Sequence, residues 1–194
     1  MARQEQKNRS EKVRQAILDT ALEMGMEEGF ENVSIRKIIS RMKYSTGVVY
    51  HHFKDKQEIM DAIEEGETKK LYGEIAQLLD DKKSGLANME TVFHRIMRLA
   101  YEEPEKYNLM VLLKYSRHKG GRPPWIASVS ESLKQEIAGG NIRELDAEKA
   151  AFAIWSSFLG FNLMISRYKD LTEAEAEELF KVQFEMIIKG IKKV

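Results

Sequence analysis

Between Ser34 and Lys56 the chain gathers residue types suited to contact with phosphates and base edges: Ser34, Arg36, Ser45, Thr46, Gly47, Val48, Tyr50, His51, His52 and Lys56. Ser45 and Thr46 stand where a helix can begin, and the free backbone N–H groups of a helix start attract phosphate. Gly47 lets backbone approach closely, Val48 suits a thymine methyl, and His51 can donate to a base edge or a phosphate. Tyr50 can give its hydroxyl to a phosphate oxygen, and Lys56 adds charge at the start of the following helix. The bland alternative is that Tyr50 and His51 line a solvated helix face.

Other chemistries find no support in the residues. Histidines stand at 51, 52, 94 and 118, none in an H-E-x-x-H or other metal-ligand spacing, and there is no cysteine. Phosphate-binding glycine loops and nucleophile elbows are missing as well. The neighbouring carboxylates Asp80-Asp81 and Glu102-Glu103 diverge on a helix and read as solvated. No catalytic residue, metal or cofactor is therefore expected, and an enzyme is the remote rival.

These residues must be positioned by helices. Apolar residues recur at helical spacing almost throughout, and no segment alternates convincingly enough for a strand. Val13, Ile17, Ala21 and Met24 give one face to a helix from Ser10 to a C-cap at Gly29. Ser34 can cap a short helix over 34–41 and Ser45 a second over 45–52. Asp55 with Glu58 resembles a capping box opening a long helix over 55–80. Within it Gly66 is either a hinge or a packing glycine. Breaks at Lys82–Gly85, Gly120–Pro124 and Gly139–Asn141 separate helices near 88–102, 104–118, 124–138, 146–168 and 172–192, the last opened by Thr172 and Glu175. The expected fold is all-α with about nine helices: a helix-turn-helix unit over 1–54 and a helical bundle over 55–194.

Composition agrees with a globular chain. It has 194 residues, 43% hydrophobic and 32% charged, with a formal net charge of zero. Residues 1–56 hold 11 Lys/Arg against 8 Asp/Glu, so the modest basic excess lies where a polyanion would dock. Arg3, Lys7 and Arg9 are either a solvated tail or an arm on DNA. No secretory signal opens the chain, and a cytoplasmic location is expected. Ala150–Ser166 is uncharged but short and interrupted by polar residues, which fits a helix buried on most sides better than a membrane span.

The stretch Ser34-Ile-Arg-Lys-Ile, followed by Ser45-Thr-Gly-Val-Val-Tyr-His-His-Phe-Lys-Asp-Lys-Gln-Glu-Ile59, resembles the DNA-binding domain of the TetR family of transcriptional regulators. Ile17–Phe30 looks like that family's first helix, and Gly140-Asn-Ile-Arg-Glu-Leu resembles a recurrent later segment. The resemblance implies that Ser34, Tyr50 and Lys56 contact phosphate, while Thr46, Val48 and His51 read sequence. Phe53 matches a core position, and His52 packs as much as it contacts DNA. Four positions depart from the pattern: Ile39 and Met42 replace small residues, Lys43 replaces a turn glycine, and Gly25 fills a slot often held by Phe. A positive φ at Lys43 would carry about 1 kcal/mol of strain.

The remaining two-thirds offers apolar surface in excess. The resemblance implies a small-molecule pocket inside the bundle, for which Phe93, Met97, Tyr107, Met110, Val111, Trp125, Trp155 and Leu159 are candidates. The plainer reading of any one of them is core packing. A largely uncharged effector, or one with an apolar body, suits such walls. Ala151, Ser157 and Gly160, with Phe180, Phe184, Ile187 and Ile191 on the last helix, are candidates for a four-helix homodimer interface. The monomeric alternative has these helices covering the pocket. Together these readings describe a homodimeric, ligand-responsive regulator, more a repressor than an activator, on a near-palindromic operator. The main rival is a helical carrier of hydrophobic molecules that does not use DNA.

Overall fold

The computed structural model describes residues 2–80, 82–113 and 124–193, and among them every regular element is helical. The helices are α1 (Ala2–Glu28), α2 (Ile35–Met42), α3 (Thr46–His52), α4 (Lys56–Leu78), α5 (Gly85–Glu102), α6 (Pro104–Tyr107), α7 (Pro124–Ala138), α8 (Ala147–Arg167) and α9 (Glu173–Ile191). The chain is all-α.

Local sequence explains most boundaries. Ser34 accepts a hydrogen bond from the Lys37 N–H at 3.3 Å, and Asp55 accepts from the Glu58 N–H at 2.9 Å. Glu58 answers by accepting from the Lys54 N–H at 2.8 Å, one residue ahead of the usual capping-box partner. Thr172 and Glu175 form the full reciprocal box. Ser84 caps α5 through the Ala87 N–H, so that helix begins three residues before the expected 88.

Three elements differ from expectation. First, α1 starts at Ala2 rather than Ser10. Nothing from Arg3 to Lys12 breaks a helix, and Gln4 donates to Asn8 one turn on at 3.1 Å. Lys7 and Arg9 are thus exposed on helical turns rather than on a frayed tail or an extended arm. Second, a 3-10 turn over Phe30–Asn32 follows Gly29, whose φ is +86°. The Phe30 ring lies where a Gly25 Cβ would come within 2.2 Å, which accounts for glycine at that slot: Phe30 supplies the aromatic volume from the next turn. Third, α6 does not run on as an α-helix but opens into a π-helical turn over Asn108–Leu112. The end of the expected 104–118 helix, with His118, and most of the 120–124 break lie outside the described residues.

Two apolar cores result. The head core joins Ile17, Ala21, Met24, Phe30, Ile38, Val49 and Phe53 with Ile59, Met60 and Ile63 from the first half of α4. The bundle core joins Phe93, Met97, Trp155, Phe158, Phe180 and Phe184, among others. The π turn serves both: Leu109 belongs to the head, whereas Tyr107, Met110 and Val111 belong to the bundle. Beside it, Glu67 of α4, 8% exposed, bonds Lys70 at 2.6 Å and Lys106 at 3.2 Å. Burial would raise the Glu67 carboxyl, but the two ammonium groups hold it below the usual carboxylate range. At Gly66, one residue earlier, an added Cβ would meet nothing within 4 Å; it is not a packing glycine, and α4 passes through it unbroken. On the far side of the bundle, His94 of α5 pairs with Glu177 of α9 at 2.8 Å, and Arg98 bonds Glu102, Glu173 and Glu177. No helix among the described residues is long and apolar enough to cross a membrane.

Candidate nucleic-acid interface

The segment Lys43–Ser45 joins α2 to α3. Lys43 adopts φ 57° and ψ 28°, the left-handed conformation. An L side chain pays about 1 kcal/mol there, partly offset by the greater unfolded-state freedom of glycine. Lys43→Gly is therefore expected to raise unfolding free energy by about 0.5 kcal/mol in urea titrations. An equal or lower value would mean that Lys43 makes compensating contacts.

Two side chains fasten α3 to the head: Val49 is fully buried and Phe53 is 1% exposed. Arg14 lies over the Phe53 ring at 5.1 Å. With that face fixed, Thr46, Gly47, Val48, Tyr50 and His51 project outward, Val48 at 36% and Tyr50 at 52% exposure. Ser45 occupies the N-cap position but makes no side-chain cap bond, so its hydroxyl is not spent on its own helix. A Cβ on Gly47 would meet nothing within 4 Å, so a close-approaching surface has room.

Around α3 the cations divide into two groups. Lys37 is held by Glu28 at 2.8 Å and Arg41 by Glu27 at 2.7 Å. Arg36, Lys43 and Lys54 are exposed and have no carboxylate partner among the described residues. Lys54 is an exposed cation beside α3 that the sequence reading does not single out; its place immediately before the Asp55 cap is the available signal. Lys56 donates to the Glu31 carbonyl at 2.8 Å, tying α4 to the 3-10 turn. Burial, with His51 and Arg14 nearby, pushes the His52 imidazole down, so at neutral pH it brings no charge. Ser34 is partly buried and caps α2.

In the bundle, a cavity of about 400 Å3 lies between α4, α5, α7 and α8. Three of the candidate pocket residues line it, Phe93, Trp125 and Trp155, together with Tyr72, Ile75, Ala76, Leu79, Val92, Ser128 and Val129. Of the other candidates, Met97, Tyr107, Met110 and Val111 are buried in the bundle core and Leu159 packs against it, and none borders this cavity. A wider groove between α5 and α9 carries His94, Arg98, Glu102 and Glu177, whose charges are committed to one another.

The interface candidates divide by helix face. Ala151, Phe180, Phe184 and Ile191 are buried within the subunit, which removes them from its surface, whereas Ile187 is only partly buried. Phe184 meets Phe93 and Phe180 in an aromatic cluster. Ser157 and Gly160 are exposed, and a Cβ at Gly160 would meet nothing within 4 Å. The outward faces of α8 and α9 carry Phe152 at 61% exposure and Met186 at 68%, with Leu163, Met164, Leu179 and Val182 also exposed. Within one subunit, α8 is thus buried on one face and not on most sides.

A short helix anchored by its inner face, preceded by a tight turn and ringed by unpaired cations, defines a helix-turn-helix DNA-binding regulator carrying a helical bundle. Residues 17–63 match the family model described as bacterial regulatory proteins, tetR family. The head of the chain is thus a TetR-family DNA-binding domain. The chain is 26% identical over 148 residues to the HTH-type transcriptional repressor KstR2 of Mycolicibacterium smegmatis, covering 70% of each chain. With the HTH-type nicotine-responsive transcriptional repressor HdnoR of Paenarthrobacter nicotinovorans it shares 28% identity over 102 residues, 53% of this chain and 50% of that protein. Its fold is similar to AibR, solved with isovaleryl coenzyme A and operator DNA, at a TM-score of 0.70, 20% identity, and coverage of 90% and 97% of the two chains.

Proposed function

We propose that this chain is a repressor that binds a near-palindromic operator as a homodimer and responds to a small, largely apolar effector held in the bundle. The observation that carries the reading is the split around α3: Val49 and Phe53 locked inside, Thr46, Gly47, Val48, Tyr50 and His51 presented outside. Thr46, Val48 and His51 face the bases in this reading. Ser34, Ser45, Tyr50 and Lys56, joined by Arg36, Lys43 and Lys54, hold phosphates, and His52 packs against the head. Lys56 keeps its carbonyl bond while its charge faces the backbone. The chain divides at 54/55 into head and bundle, with the first half of α4 seated in the head core.

Two copies pair through the outward faces of α8 and α9 and present two copies of α3 to successive major grooves. Effector binding acts through α4 and α6, which touch both cores. A ligand that prefers one spacing of the two heads shifts the population by its difference in affinity for the two states. The relatives support this pattern, one being a nicotine-responsive repressor and another having been solved with an acyl-coenzyme A and operator DNA.

The test is selection of bound duplexes from fragmented genomic DNA, followed by anisotropy titrations. Tyr50→Phe and Lys56→Ala are expected to weaken binding to all duplexes, each by about three- to tenfold. Thr46→Ala changes sequence preference instead. With about six phosphate contacts, affinity falls on the order of a thousandfold between 50 and 200 mM salt. Unchanged affinity in all three variants, or a flat salt response, rejects the assignment.

A further inference from the structure

The 400 Å3 cavity between α4, α5, α7 and α8 has an unusual wall. Tyr72 stacks on Trp125 with ring centroids 5.0 Å apart and planes 25° apart. Trp125 stacks in turn on Trp155 at 5.7 Å and 7°, and the Phe93 ring meets Trp155 edge-on. The three rings form a stacked column, whose end rings can each offer one flat π face where leucines and valines would give a corrugated surface. The described residues lining the cavity include no charged side chain, and their polar groups are the hydroxyls of Tyr72 and Ser128 and the two indole N–H groups. A net charge placed deep inside would be desolvated with no counter-ion among these described residues, whereas a neutral ring can continue the stack.

From this wall we infer that the effector carries a neutral, planar aromatic ring system, and that the wall selects it over a saturated ring of the same size. The inference rests on the reading of this cavity as the effector site, and deepens it by naming the ligand class. Selection follows from geometry. A flat ring stacked on an end of the column meets one aromatic face over its whole area, while a puckered ring touches it at a few hydrogens. One or two added offset-stacked contacts correspond to about tenfold in affinity.

The chain contains two tryptophans, Trp125 and Trp155, and both lie in this wall, so the near-ultraviolet tryptophan dichroism reports on the cavity. The experiment titrates the full-length protein with 2-naphthol and with decahydro-2-naphthol, by calorimetry and by dichroism near 290 nm. Expected is about tenfold tighter binding of 2-naphthol with a changed tryptophan band. The preference should be lost in Tyr72→Leu, whose half-exposed position keeps the fold intact, as checked by far-ultraviolet dichroism. Equal or tighter binding of the saturated alcohol, with the band still changed, overturns the aromatic preference but leaves the cavity as a ligand site. Binding heat with an unchanged band, or no binding of either probe, overturns both.

Discussion

Glutamate at both Val182 and Met186 is expected to leave the chain monomeric in light scattering at concentrations where the parent chain is dimeric. Both side chains lie on the outward face of α9, half exposed or more. In a symmetric pair each introduced carboxylate appears twice and is carried into the apolar patch of Phe152, Leu163 and Leu179. An unpaired buried charge costs several kcal/mol, enough to dissociate the pair. Because two linked heads gain affinity from being tethered, the monomer should lose on the order of a hundredfold or more in operator affinity. Its far-ultraviolet dichroism stays unchanged, since neither position belongs to the subunit's own core. Phe184→Glu should behave differently and unfold the bundle, because that ring sits with Phe93 and Phe180. A double variant that remains dimeric, with full operator affinity, moves the pairing surface elsewhere.

Glu67→Gln is expected to lower stability by about 2 kcal/mol at pH 7, because it leaves the partly buried Lys106 ammonium short of one anion. The pH dependence fixes the cause. The folded-state carboxyl of Glu67 lies below its ordinary value of 4.5, so its contribution is complete above that value and disappears as pH falls through the folded pKa. The gap between parent and variant in urea titrations should therefore be full at pH 7 and close in stronger acid. Lys106 is the converse: burial would lower its ammonium, yet Glu103 and Glu67 raise it above 10.5, so its share persists until alkaline pH. The same variant should blunt the effector's change in DNA affinity, because the bond joins α4 to α6. A gap independent of pH would mean that the loss is one of packing rather than charge.

The head is legible in the sequence because its signals are local. Ser34 and Asp55 are capping residues whose partners lie three residues away, and the outward set on α3 follows from 3.6-residue geometry once Val49 and Phe53 are given to the core. The last two helices are harder. Phe180 and Leu179 are neighbours in sequence, yet a 100° step sends one into the subunit and leaves the other outside. Hydrophobicity alone does not separate a core face from a pairing face when one helix carries both. The start of α1 is obscured because serine caps helices but also sits within them, and only the unbroken helix-compatible run before Ser10 decides. Tyr72 and Ile75 do not stand out as cavity residues because they lie on a helix that reads as a connecting lever. Their neighbours across the cavity come from α7, more than forty residues onward in the chain.

The widened turn at Asn108–Leu112 carries a final consequence. Leu109 is committed to one interior, and Met110 and Val111 to the other. Such a split among adjacent side chains depends on one residue of slack in the winding. Deleting that slack would turn everything downstream by about 100° about the axis, carrying Met110 and Val111 out of register with the bundle while Leu109 kept its seat. The extra residue thus sets which side chain each interior receives.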